Sequence, residues 1–138
     1  MIIGYTTGVF DLFHVGHLNI LKRAKEMCDY LVVGVSTDEL VRSYKSKTPI
    51  IPYEERKAIV EAIKYVDKVI PQTVLDKNDA LKSINFNILF QGDDWMNSPV
   101  YYKTTEEFKK MGIEIVLFPY TQGTSSTLLT EVLKKAVR

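Results

Sequence analysis

Apolar positions in this chain fall into short continuous runs, separated by stretches where they recur every three or four residues. The runs "IIGYTT" (Ile2 to Thr7), "YLVVGV" (Tyr30 to Val35), "DKVIP" (Asp67 to Pro71), "NILFQ" (Asn87 to Gln91) and "IEIVLF" (Ile113 to Phe118) predict strands. An unbroken apolar run such as "YLVVGV" marks a strand buried on both faces, as in a parallel sheet. From His14 or Val15 to Cys28, the positions Leu18, Leu21, Ala24 and Cys28 repeat at helical spacing. The stretch "RSYKSKTPIIP" is polar, basic and interrupted by prolines, and predicts a loop. Pro52 then opens a helix reaching about Lys64, with core positions Ala58, Ile59, Ala62, Ile63 and Val66. A weak helix is expected from Leu75 to Ile84, and a stronger one from Tyr101 to Met111, stopped by Gly112. A last helix starts near Ser125 and carries Leu128, Leu129, Val132, Leu133, Ala136 and Val137 on one face.

Strands alternating with helices imply βαβ units. The expected fold is α/β: a doubly wound five-stranded parallel sheet with helices on both faces, forming one domain over residues 1–138. Such a sheet takes its ligand at the carboxyl ends of the strands, where the strand order switches.

Composition narrows the function. Apolar residues are 46% and charged residues 25% of the chain, the balance of a water-soluble globular protein. A net charge of +1 gives no electrostatic footprint for nucleic acid or a membrane surface. Cys28 is the only cysteine, which excludes an internal disulfide. The N-terminus lacks a basic region followed by a long apolar run, so no signal peptide is expected and the cytoplasm is the expected location.

The chemistry concentrates in "GVFDLFHVGHLNILKRAK", from Gly8 to Lys25. His14 and His17, the only histidines, stand three apart where a strand gives way to a helix. Residues at that spacing are neighbours on a helix. A helix mouth adds free N–H groups and partial positive charge, which favour an anion. Gly16 lets a ligand approach the backbone. The arrangement suits a phosphate. Two competing readings are zinc ligation, for which third and fourth His or Cys ligands are missing, and a buried structural pair.

"GVFDLFHVGH" resembles the H-x-G-H signature of the nucleotidyltransferase superfamily. "YEERK" (Tyr53 to Lys57), "GDDW" (Gly92 to Trp95) and "YTQGTSST" (Tyr120 to Thr127) resemble segments of the cytidylyltransferases, most closely the glycerol-3-phosphate cytidylyltransferases. The resemblance implies a Rossmann-like sheet, CTP and a small polyol phosphate as substrates, Mg²⁺ or another divalent cation bound with CTP, and a homodimer. It implies transfer of CMP to the acceptor phosphate, giving a CDP-alcohol used as a cell-surface polymer precursor such as that of teichoic acid. His14 and His17 then act on the phosphates, and Lys45 and Lys47 match the basic catalytic loop, with Lys45 and Lys77 near the acceptor. Gly8, Val9, Phe10, Asp11, Gly16, Arg56, Asp94, Trp95, Tyr120, Thr121, Gly123, Ser125, Ser126 and Thr127 match nucleotide-side positions. Asp11 is expected to tie its loop by accepting backbone N–H bonds. No protein cage for the metal is expected, since Mg²⁺ binds largely through substrate phosphates and water.

The last motif departs from the family pattern R-T-x-G-x-S-T. Tyr120 replaces the arginine, Gln122 a glutamate and Ser126 a threonine. Losing one charge-assisted hydrogen bond costs ~10- to 100-fold in rate or affinity. Arg42 or a lysine of the 45–47 loop could substitute, or Tyr120 could shape a different acceptor pocket. The alternatives to cytidylyl transfer are adenylyl transfer within the same superfamily and a non-catalytic nucleotide-binding module.

Overall fold

The computed structural model describes residues 1–119 and 129–133. Five strands, β1 (Ile3–Gly8), β2 (Tyr30–Ser36), β3 (Lys68–Gln72), β4 (Ile88–Gly92) and β5 (Glu114–Phe118), form one parallel sheet in the order β3-β2-β1-β4-β5. The chain winds outward from β1 through β2 to β3, then returns to β4 beside β1, so the switch point lies between β1 and β4. This is the doubly wound α/β arrangement that the strand runs imply.

Helices α1 (Val15–Glu26), α2 (Asp38–Lys45), α3 (Tyr53–Glu61) and α4 (Tyr101–Met111) connect the strands. Leu21 and Ala24 of α1 and Val60 of α3 pack with Leu31, Val33, Val35, Ile88 and Phe90 on one face. Phe108 of α4, Ala80, Phe86 and Trp95 pack with Tyr5, Val32 and Leu89 on the other. Gly4 keeps the first face closed, because a Cβ there would sit 2.5 Å from the Phe90 ring. Gly112 ends α4 at φ 75°, the left-handed conformation that glycine adopts without strain.

Four expectations need correction. The segment read as a loop from Arg42 onward begins inside α2. Thr37 caps this helix by accepting from Leu40 N–H at 3.2 Å, Asp38 and Glu39 occupy its first turn, and Leu40 and Val41 are buried. Each of these is a sequence-level start signal, and basic composition masked them. In α3 the buried stripe is also rotated. Arg56 and Val60 are buried and Ile63 and Val66 pack against the core, whereas Ala58, Ile59 and Ala62 are exposed. Arg56 is expected on the nucleotide side, which leaves it out of the predicted core stripe. Pro52 stands at the N-cap, just outside the first turn. The weak helix near Leu75 is a 3₁₀ turn over Lys77–Lys82, and Gly92 leads into a second over Asp93–Asn97. Of the last helix, residues 129–133 are helical; its start near Ser125 lies outside the described residues. Among the described residues, no helix is long and apolar enough to cross a membrane.

Candidate functional site

Beyond the carboxyl ends of β1 to β4 lies a cavity of about 620 Å³, at the switch point. The loop leaving β1 enters it with two residues in the left-handed region, Phe10 at φ 55° and Leu12 at φ 50°. Such a backbone needs outside support, and three contacts give it. The Phe10 ring is buried in the core and meets the His17 ring edge-on, centroids 5.4 Å apart. The Asp11 carboxylate accepts from Ile50 N–H at 2.8 Å and Ile51 N–H at 2.9 Å. The Val9 carbonyl accepts from the Arg56 guanidinium at 2.7 Å.

His14 is the N-cap of α1, and both imidazoles serve the helix start. His14 Nδ1 accepts from Gly16 N–H at 3.0 Å, and His17 Nδ1 accepts from His14 N–H at 3.2 Å. An Nδ1 that accepts fixes the ring proton on Nε2, so each ring keeps one N–H donor. The ring centroids are 4.0 Å apart and both rings line the cavity. Burial lowers the His14 pKa. Burial, then the neighbouring His14, pushes His17 down to about 4, against a weaker opposing pull from Asp11. Both are therefore neutral donors near pH 7.

Cations reach the cavity from two other elements. Lys45 ends α2, Ser46 turns the chain at φ 55°, and Lys47 follows; both lysines line the cavity. Partial desolvation, then Lys47, holds the Lys45 pKa below its usual value, opposed by Asp94 and Asp11. Lys77 begins the first 3₁₀ turn and lies 6.0 Å from the centre of the Trp95 ring. It is 5% exposed, and burial brings its pKa down to about 8, with Asp76 opposing. Its ammonium thus faces the cavity with little solvation and favours an anionic ligand.

Gly8, Val9, Phe10, Asp11, Gly16, Asp94 and Trp95 also line the cavity. Arg56 does not. Fully buried behind the wall, it donates through Nε to Ile51 O at 2.8 Å, through Nη1 to Val9 O and Ser36 O at 2.7 Å, and through Nη2 to Asp38 Oδ1 at 2.6 Å. Its geometry is that of a clamp between the β1 loop, the end of β2 and residue 51, in place of the nucleotide contact expected of it. Arg42 pairs with Glu39 at 3.6 Å and lies outside the cavity lining. Tyr120, Thr121, Gly123, Ser125, Ser126 and Thr127 lie outside the described residues.

The lining holds groups that motif reading missed. Thr7, Ser36, Gln72 and Gln91 stand at or near the ends of β1 to β4. The signal was present: four apolar runs each end on, or are followed directly by, a polar residue.

Comparison with known proteins places these features in a family context. The family model described as cytidylyltransferase-like matches residues 5–135. Glycerol-3-phosphate cytidylyltransferase of Bacillus subtilis (strain 168) is 41% identical over 127 residues, covering 91% of this chain and 92% of that protein. FAD synthase of Thermococcus kodakarensis is 38% identical over 136 residues, covering 94% of this chain and 88% of that protein. The crystal structure of the lipopolysaccharide core biosynthesis protein from Thermoplasma volcanium GSS1 superposes with a TM-score of 0.73 at 29% identity, covering 90% of this chain and 99% of that one.

Proposed function

The chain belongs to the cytidylyltransferase-like family, and on that premise we propose that it transfers CMP from CTP to a small polyol phosphate, with glycerol phosphate the leading candidate. An oxygen of the acceptor phosphate attacks the α-phosphorus of CTP, the α–β P–O bond breaks, and pyrophosphate leaves with its electron pair. Transfer of this kind asks a protein for positioning and electrostatic stabilisation more than for covalent chemistry. The carrying observation is that two neutral imidazoles, 4.0 Å apart between centroids, share one cavity with Lys45, Lys47 and Lys77. His14 and His17 donate their Nε2–H groups to phosphate oxygens as charge grows on the departing pyrophosphate. Lys45 and Lys47 neutralise the triphosphate, and Lys77 draws in the acceptor's phosphate.

Among the described residues, no three His, Cys, Asp or Glu side chains gather as metal ligands. A divalent cation suits this site as a companion of CTP, held by phosphate oxygens and water, with the cavity-lining Asp94 available to its water shell. When bound, it supplies further charge neutralisation on the triphosphate. Family membership also supports a homodimer, tested by sedimentation, and production in the cytoplasm of a CDP-alcohol for a cell-surface polymer.

The test combines protein, CTP, Mg²⁺ and glycerol 3-phosphate and follows pyrophosphate and the product mass. Release of pyrophosphate with a CDP-alcohol product is expected. No release with any polyol phosphate overturns the proposal, and tight CTP binding without turnover then favours a binding module. The FAD synthase relative favours one second reading, adenylyl transfer. Thermal shifts at equal CTP and ATP concentrations separate the two, since the better ligand stabilises more.

A further inference from the structure

The floor of the cavity is a stepped row of four polar side chains on one face of the sheet, Ser36 and Gln72 standing one same-face position beyond Thr7 and Gln91. Ser36 and Gln72 are register partners, Thr7 pairs with Gly34, and the Thr6–Phe90 pairing sets Thr7 beside Gln91. Side chains alternate along a strand. The row therefore continues the columns of Tyr5, Val32, Ile70 and Leu89, which build the apolar core beneath it. Ser36 is 2% exposed, and Gln72 and Gln91 are 7% exposed.

The row is half satisfied. Ser36 Oγ–H donates to Gln72 Oε1 at 2.8 Å, and Gln91 Nε2–H donates to Thr7 Oγ1 at 2.8 Å. These bonds pin both glutamines. Among the described residues, the Gln72 amide nitrogen and the Gln91 carbonyl oxygen have no other partner, and both residues line the cavity. These two amide atoms open onto the cavity, where a ligand that both donates and accepts can pair with them in place of water. The row carries no charge, so the part of a ligand resting on it is neutral. Lys77, five residues after Gln72, supplies the positive charge alongside.

We infer that Gln72 and Gln91, held by Ser36 and Thr7, read the free hydroxyls of the acceptor and select a polyhydroxylated phosphate over a plain alkyl phosphate. This rests on the cytidylyl-transfer reading above and adds to it a basis for acceptor choice. A site built to hydrogen-bond a hydroxyl rejects an analogue that lacks it, because its own polar groups are then left unpaired.

The experiment measures kcat/KM for glycerol 3-phosphate and for propyl phosphate, with CTP, in the unaltered protein, Gln72→Met and Gln91→Met. Methionine keeps length and bulk while removing the hydrogen bonds. The unaltered protein is expected to prefer glycerol 3-phosphate strongly, and each substitution to shrink the preference about tenfold, the worth of one hydrogen bond. Folded variants that keep the original preference overturn the inference. So does an unaltered protein that uses propane-1,2-diol 1-phosphate, propane-1,3-diol phosphate and glycerol 3-phosphate equally well, a measurement independent of whether the variants fold. An active protein with no hydroxyl preference removes this inference alone. A protein inactive with every phosphate and CTP removes the transfer reading, and this inference with it.

Discussion

Replacing Arg56 by lysine separates the clamp from the charge. The guanidinium makes four hydrogen bonds of 2.6 to 2.8 Å, three to carbonyls from separate segments and one to the Asp38 carboxylate. A lysine ammonium offers donors from one point and cannot span that set, so at least two bonds are lost. Hydrogen bonds to a charged group are worth about 1.5–3 kcal/mol each, which sets a loss of about 3–6 kcal/mol. Asp38 is partly exposed and regains hydration, so the net cost falls near the lower bound, about 3 kcal/mol. For a chain near 150 residues each kcal/mol moves Tm by about 2–4 °C; the expected drop in calorimetry is about 6–12 °C. Because the Val9 carbonyl loses its anchor, CTP affinity by titration calorimetry should fall as well. Asp38→Asn combined with Arg56→Lys should cost less than the sum of the two, since both break one ion pair. A Tm within about 2 °C of the original, with unchanged CTP affinity and additive double-variant energies, would refute the clamp.

Three further outcomes follow from the same geometry. Lys77 has a depressed pKa of about 8, so its ammonium is about half charged at pH 8 and lost above it; acceptor KM should about double from pH 7 to 8 and then climb toward tenfold per unit, while Lys77→Arg flattens the climb. A level KM up to pH 9.5 would exclude Lys77 from the acceptor site. His14→Ala should lose about 1 kcal/mol of helix capping and about 10²–10³ in kcat, whereas His14→Asn restores the melting temperature without the rate; joint recovery of both would show that capping is its whole role. Gly4→Ala should cost about 1–3 kcal/mol by overpacking against Phe90, which is fully buried, and a denaturant midpoint unchanged from the original would show that this face has slack.

Strands and sheet class were legible in the sequence because continuous apolar runs admit few other arrangements, and the histidine pair because its position after β1 put it at the switch point. Arg56 was misplaced for a physical reason. A guanidinium can be buried when its charge is paired and its donors are satisfied, here by Asp38 and three carbonyls, yet its motif match reads as a ligand contact. That error also rotated the predicted face of α3. The α2 helix was hidden by lysines that lie at its end and line the cavity. The amide row escaped motif reading because its members come from four strands and meet only through sheet register.

The caps on α1 also bear on the stereochemistry of the proposed transfer. With each Nδ1 lone pair accepting a backbone N–H and each Nε2 carrying hydrogen, neither ring offers a free electron pair to phosphorus, and no phosphohistidine can form without dismantling the helix start. On the proposed function, this favours direct meeting of the two substrates in a single in-line displacement. CTP made chiral at its α-phosphorus with sulfur should therefore yield product of inverted configuration, and retention would mean that a covalent intermediate forms on a group of the protein.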